Sequence, residues 1–275
     1  MIWSGGGQYT ETCVKVEIIG ERSYTLPLLN EPRFGHSLAT TNQRDLLIVG
    51  GTKAQLGYQL AENEGKDVLI LKGGKWLHHS ELGGARIGSV VVTMPDGIYV
   101  FGGMHNAETS EFLPNGQNIW QEGPSLPKKG IWAGSGVPIS QHELVLVGGY
   151  STEKRVMKFN ILTQEWTFWD NLATGRFNHS CAFYKDSIIV TGGSFGLSGH
   201  TTDIIEVSNG TNRKGAKLNY ARCGHAMGVV KWLGTTRLMV MKGFMKNSKV
   251  NTNEAWNEAT EKWEALEDLI EIVNL

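Results

Sequence analysis

An all-β fold of repeated four-stranded sheets is what this sequence predicts, and three observations carry the prediction. A short apolar run ending in glycine recurs six times along the chain. An aromatic residue follows most of these runs at a nearly constant distance. Glycine supplies 35 of 275 residues, about 13% against a usual 7%, with only seven prolines, as many short strands joined by tight turns require.

The runs are Met1–Gly7, Leu46–Gly51, Ile98–Gly103, Leu144–Gly149, Ile188–Gly193 and a degenerate Leu238–Gly243, with glycine pairs at 6–7, 50–51, 102–103, 148–149 and 192–193 and the variant Lys242-Gly243. The second glycines of the middle copies are 52, 46 and 44 residues apart, the period range of propeller repeats. Runs such as Leu46-Leu47-Ile48-Val49 have no polar alternation, so both faces must be covered, as in a strand inside stacked sheets. The glycine pair at the strand end permits backbone angles closed to residues with a Cβ.

Seventeen residues beyond the glycine pair stand Tyr24, Trp120 and Trp166, while Trp263 follows Gly243 by 20 and Trp76 follows Gly51 by 25. The fifth copy has Gly210 at this place. One large aromatic per unit fills the gap between twisted neighbouring sheets. A third mark comes before each new run: Arg33-Phe34-Gly35-His36, Arg86-Ile87-Gly88-Ser89, Arg176-Phe177-Asn178-His179 and Arg222-Cys223-Gly224-His225, with Lys129 and Trp132 as the looser fourth copy. Each unit therefore reads as four short antiparallel strands, A after the arginine mark, B ending in the glycines, C, and D with the aromatic. A single such sheet cannot bury both faces, so the units must stack, and a ring leaves no terminal unit exposed.

The runs, the aromatic and the Arg–His mark together resemble kelch repeats across nearly the whole chain. The resemblance implies one kelch-type β-propeller domain over residues 1–275, with six four-stranded blades. The first unit begins at its strand B and lacks strand A. The C-terminal run Leu269–Leu275 is expected to supply it, closing the ring with N- and C-terminal strands in one blade; the alternative is a short helix over Glu264–Ile272.

Charge is balanced, 26 Lys plus Arg against 27 Asp plus Glu, which gives no basic footprint for nucleic acid. The longest uncharged stretch, Ser187–Thr202, is Gly/Ser-rich and shorter than the roughly 18 apolar residues of a membrane helix. No signal peptide is visible, and three scattered cysteines, Cys13, Cys181 and Cys223, give no disulfide framework, so cytoplasmic placement with buried thiols is the expectation.

Function is expected at the loops that the sheets hold rigid. In the kelch family the B–C and D–A loops share a face that receives partner peptides. Arg86-Ile87-Gly88 resembles the arginines that kelch adaptors aim at acidic peptides, and Tyr150, directly after a glycine pair, resembles a partner-contacting position; Phe244 follows Gly243 in the same way. The expected partner-binding set is Arg33, Arg86, Tyr150, Arg176, Arg222 and Phe244, facing a protein or peptide whose acidic groups the guanidiniums would pair. The alternative use of these arginines is to bind acidic groups of the blades and hold the ring together. An insertion of eight residues within Thr52–Lys66 is expected to stand proud of the other B–C loops. His36, His179 and His225 recur without a matching carboxylate, so structural hydrogen bonding is expected of them rather than metal binding. No phosphate loop, HExxH or nucleophile elbow is present, and no cofactor is expected. The leading expectation is a non-enzymatic interaction scaffold, such as a substrate-recognition module. The rival is an enzyme on the same fold, mutarotase- or oxidase-like, acting on a sugar or small molecule. A third reading places a small ligand in the channel of a structural propeller.

Overall fold

The computed structural model describes residues 16–19, 22–25, 27–31, 33–53, 64–127, 130–194, 201–232, 234–245, 248–266 and 272–274. They form an all-β propeller with four-stranded antiparallel blades. Blade 1 comprises β3 (Ser37–Thr40), β4 (Leu46–Val49), β5 (Asp67–Lys72) and β6 (Lys75–Glu81). Blade 2 comprises β7 (Val90–Met94), β8 (Gly97–Phe101), β9 (Ser110–Pro114) and β10 (Gln121–Glu122). Blade 3 has β11 (Ser135–Pro138), β12 (Glu143–Val147), β13 (Val156–Asn160) and β14 (Glu165–Phe168). Blade 4 has β15 (Ser180–Tyr184), β16 (Ser187–Thr191), β17 (Thr202–Glu206) and β18 (Asn212–Lys214). Blade 5 has β19 (Ala226–Trp232), β20 (Thr235–Met241), β23 (Asn253–Asn257) and β24 (Lys262–Leu266), with a small hairpin of β21 (Phe244–Met245) and β22 (Ser248–Lys249) between its middle strands.

The strand that ends in the glycine pair is the second of each blade and is the most deeply buried, because it is covered on both faces by neighbouring sheets. The first strands line up side by side in chain order, β3 on β7, β7 on β11, β11 on β15 and β15 on β19. Four apolar clusters fill the seams between consecutive blades, for example Val90, Tyr99 and Phe101 of blade 2 against Leu144, Leu146 and Phe159 of blade 3. The repeated aromatic belongs to the last strand or its approach, and it leans across the seam onto the preceding unit. Trp120 Nε1 donates to Ser80 Oγ at 3.0 Å, Trp166 Nε1 to the Ser125 carbonyl at 3.0 Å, and Trp76 Nε1 to the Pro27 carbonyl at 2.9 Å. At Gly210, where the fifth repeat lacks its aromatic, a Cβ would come within 2.3 Å of the Trp169 ring, so the blade 3 tryptophan takes the missing volume.

The six-blade expectation is corrected to five complete blades among the described residues, and ring closure is not seen. The first repeat contributes β1 (Val16–Ile19) and β2 (Arg22–Thr25), which pair antiparallel; residues 1–15, with its glycine run and Cys13, lie outside the described residues. The C-terminal strand β25 (Ile272–Asn274) does join this unit, but in parallel and beside β2, the outermost strand in repeat order, rather than as its innermost strand. An outer strand offers a row of unpaired backbone groups, which is a ready template for an extended tail. The alternative, a short terminal helix, is not formed over 264–266 or 272–274, which are strand. Most of the Thr52–Lys66 insertion, 54–63, also lies outside the described residues. Among the described residues no helix is long and apolar enough to cross a membrane.

Candidate functional site

The glycine pairs and the arginine marks meet at one end of the ring, because strand A starts there and strand B ends there. Phe34 bridges Thr52, Ile87 bridges Met104 and Cys223 bridges Phe244, each joining a residue after the arginine position to one after the glycines. Blade 3 does the same through one bond, Tyr150 N to the Trp132 carbonyl at 2.8 Å.

The arginines, however, do not face solvent. Arg33, Arg86, Arg176 and Arg222 are 6%, 2%, 0% and 1% exposed, and the expectation that they contact a partner is corrected accordingly. Each acts as a clasp inside its own blade. One Nη donates to the carbonyl of the residue that opens the glycine pair: Arg33 to Gly50 at 2.9 Å, Arg86 to Gly102 at 2.6 Å, Arg176 to Gly192 at 2.7 Å and Arg222 to Lys242 at 2.8 Å. A second guanidinium nitrogen pairs with an acid on the third strand. The pairs are Arg33–Asp67 (2.8 Å), Arg86–Glu111 (2.9 Å), Arg222–Glu254 (2.7 Å) and Arg176–Asp203. Burial draws Arg86, Arg176 and Arg222 below the ordinary guanidinium pKa, and the partner carboxylate restores only part of the loss. A side chain so enclosed, with much of its donor capacity directed inside its own blade, offers little to a ligand.

Blade 3 solves the same problem without charge. Gly103 N donates to the Ile131 carbonyl as Gly51 N does to Arg86 and Gly149 N to Arg176, so Ile131 occupies the arginine position; Lys129 lies outside the described residues. Met157 occupies the place of Glu111, and both apolar side chains are at most 1% exposed in one cluster. The Gly148 carbonyl takes its hydrogen bond from the Thr152 hydroxyl at 2.8 Å instead of from a guanidinium.

Two residues beyond each arginine position the chain turns left-handed, at Gly35, Gly88, Ala133, Asn178 and Gly224, with φ between 53° and 65°. These residues hydrogen-bond one to the next across the blades. Gly88 N donates to the Gly35 carbonyl (2.7 Å), Ala133 N to Gly88 (2.6 Å), Asn178 N to Ala133 (2.7 Å) and Gly224 N to Asn178 (2.7 Å). A backbone belt therefore runs across the five blades, from Gly35 to Gly224. It ties each loop to the loop of the preceding blade by a backbone hydrogen bond. The glycine that opens each pair is required by the same crowding: a Cβ on Gly102 would lie 1.8 Å from the Ile131 carbonyl oxygen.

The exposed residues of this face include Lys53, His105 and Ser151 beside an aromatic cluster. Tyr150 is 46% exposed and packs against Trp132 (ring centroids 4.7 Å) and edge-on against Phe177 (5.5 Å), so that the cluster spans blades 3 and 4. Phe244 is half-buried and lies in the blade 5 hairpin, away from this trio in sequence order around the ring. Thus the structure joins Tyr150 to Trp132 and Phe177, which the sequence reading did not name as contacts, and separates it chemically from the four arginines.

Of the three recurring histidines, the expected structural hydrogen bond is seen at His225. His225 Nε2 lies 2.9 Å from Thr191 Oγ1 in the preceding blade. Burial together with the neighbouring arginines lowers His36 to about 4 and His225 to about 3, and pushes His179 well below its usual value, so all three are neutral at pH 7. Cys181 is buried and unpaired, its thiol pushed up to about 12 by burial, and Cys223 is also unpaired. Among the described residues no group of three or more His, Cys, Asp or Glu stands close enough to hold a metal ion. No protein-family model matches the chain, and no curated protein matches it.

Proposed function

We propose that this propeller is a kelch-type interaction module that receives a short peptide or protein segment on its loop face, without catalysis. The observation that supports this reading is the Tyr150–Trp132–Phe177 cluster, a half-exposed aromatic anchor on loops fixed by the backbone belt. Tyrosine and tryptophan on a preorganised surface offer apolar contact area at little entropic cost. With the arginines enclosed, an apolar or aromatic side chain of the partner, rather than its acidity, fits the face.

We infer also that the first repeat packs between blades 5 and 1 and closes the ring. The outer faces of blades 1 and 5 carry apolar clusters of their own, Leu29, Leu46, Ile48 and Trp76 on one and Val230, Met239 and Ala255 on the other. Such faces need a sheet between them, and the first repeat is the unit available. Lys242 places a Cβ where the other blades have glycine, so the next loop cannot approach that seam as closely.

The test is selection of binding peptides from a random library on the whole chain, followed by calorimetry with Tyr150→Ser and with Leu162→Ser, an exposed residue on the turn between β13 and β14 at the other end of the ring. Peptides weakened about tenfold or more by Tyr150→Ser and unaffected by Leu162→Ser support the reading. Peptides indifferent to Tyr150→Ser exclude this face.

A further inference from the structure

Asparagine followed by glycine occurs twice in the chain, as Asn115-Gly116 between β9 and β10 and as Asn209-Gly210 between β17 and β18. This dipeptide has a chemistry of its own. The backbone nitrogen after an asparagine can attack that asparagine's side-chain carbonyl carbon, and a following glycine hinders the attack least because it has no Cβ. The amide must first give up its proton and swing toward the side chain. A turn therefore permits or forbids the step by the way it holds that amide.

The two turns hold it in opposite ways. In blade 4, Gly210 is buried, its N–H donates to the Glu206 carbonyl at 2.7 Å, and a Cβ there would lie 2.3 Å from the Trp169 ring. The Asn209 side chain is tied as well, since its Oδ1 accepts from the Thr211 amide at 3.0 Å and from the Thr211 hydroxyl at 2.8 Å. In blade 2, residues 115–119 are all exposed. The Gln117 amide closes that turn onto the Pro114 carbonyl at 3.2 Å, with Gly116 left-handed at φ 75°. The Gly116 N–H has no hydrogen-bond partner among the described residues, and a Cβ on Gly116 would meet nothing within 4 Å. Asn115 Nδ2 donates to the Pro95 carbonyl at 2.6 Å, an exposed bond that water can replace. The reacting amide is open to solvent in blade 2 and locked in blade 4.

We propose that Asn115 is a site of spontaneous deamidation, with water as the co-reactant, and that Asn209 is protected from it. The Gly116 nitrogen bonds to Asn115 Cγ while its proton passes through solvent to Nδ2. The Cγ–Nδ2 bond breaks, ammonia leaves, and a five-membered succinimide remains. Water then opens the ring. Cleavage between Cγ and the Gly116 nitrogen leaves aspartate; cleavage between that nitrogen and the backbone carbonyl carbon leaves isoaspartate, which adds a methylene to the main chain of the turn. Either product places a carboxylate where Nδ2 had donated to Pro95, next to Asp96, whose own carboxylate accepts from the Tyr99 hydroxyl. The turn lies at the end of the ring opposite the belt, so the modification is independent of the loop face.

The experiment incubates the purified whole chain in warm, mildly alkaline buffer, with a parallel sample in denaturing urea. Peptide mapping by mass spectrometry reads the conversion of each asparagine over time, and a protein isoaspartate methyltransferase with a labelled methyl donor marks the isoaspartate. In the folded chain Asn115 is expected to convert about tenfold or more faster than Asn209, because Gly210 reacts only after local opening. The methyl label should fall in the Asn115 peptide. In urea both turns are lost and the two rates should converge. Equal rates in the folded chain, an Asn115 that stays intact over the time in which it converts in urea, or a preference for Asn115 that persists unchanged in urea would overturn the proposal.

Discussion

Blade 3 predicts how the arginine clasp can be replaced. Arg86 in blade 2 is 2% exposed and donates to Glu111, to the Gly102, Asn106 and Thr109 carbonyls and to the Thr109 hydroxyl. Glu111 also accepts from the Gly83 and Gly84 amides, at 2.6 and 3.2 Å. Glu111→Met strands a buried guanidinium, and Arg86→Ile strands a buried carboxylate, so each single change should cost about 3–5 kcal/mol. Additivity would put the pair near 6–10 kcal/mol. The triple variant Arg86→Ile/Asn106→Thr/Glu111→Met copies blade 3, where Ile131 and Met157 pack together and the Thr152 hydroxyl serves the glycine carbonyl. Its remaining losses are the bonds from the Gly83 and Gly84 amides and the one from Asn106 Nδ2 to the Ala85 carbonyl, at about 1 kcal/mol each, so a total near 3 kcal/mol is expected. Urea unfolding followed by tryptophan fluorescence reads all of these. Single variants that cost less than about 1 kcal/mol, or a triple variant as unstable as the summed singles, would refute the argument that the arginines are charge-balanced clasps.

Three further outcomes follow from the same geometry. Neutral His36, His179 and His225 have folded pKa values below the unfolded value of about 6.5. Their contribution is therefore complete above that pH and is lost as pH falls toward the folded values; for His36, lowered to about 4, this is roughly 2 kcal/mol between pH 7 and 5, measurable as a drop in urea midpoint that His36→Gln reduces. Lys242 holds a left-handed φ of 57° where other blades use glycine, so Lys242→Gly should change stability by at most about 1 kcal/mol, in the stabilising direction, by thermal melting. Gly102→Ala should be among the most damaging substitutions in the chain, more than about 3 kcal/mol, since its Cβ would meet a backbone oxygen at 1.8 Å; a soluble variant with an unchanged melt would contradict the packing.

Much of the fold was legible because its marks are local. Each glycine pair sits at the end of an apolar run, and the spacing of the aromatics follows from strands of two to seven residues. The acid partners of the arginines were not legible. Arg33–Asp67, Arg86–Glu111, Arg176–Asp203 and Arg222–Glu254 are separated by 34, 25, 27 and 32 residues, because the loop after the glycines varies in length. Without a constant spacing an arginine mark reads as surface charge, the commonest place for that residue. The signal that could have found the clasps is covariation inside the chain: the blade that lacks the arginine, at Ile131, also lacks the acid, at Met157. Tyr150 was legible from its place after Gly148-Gly149, but its neighbours Trp132 and Phe177 come from two different arginine marks and meet only once the blades are set side by side. How the C-terminal run meets the first repeat was beyond pattern alone, since an extended segment can add to either edge of a sheet.

Site-resolved amide hydrogen exchange on the intact chain tests most directly the idea that the marks between runs build a rigid mouth. The amides of Gly88, Ala133, Asn178 and Gly224 sit outside regular strands, yet the belt predicts protection comparable to the central strands β8, β12 and β16. Exchange of these four amides at the rate of open loops, such as the turn at Gly73-Gly74, would contradict it.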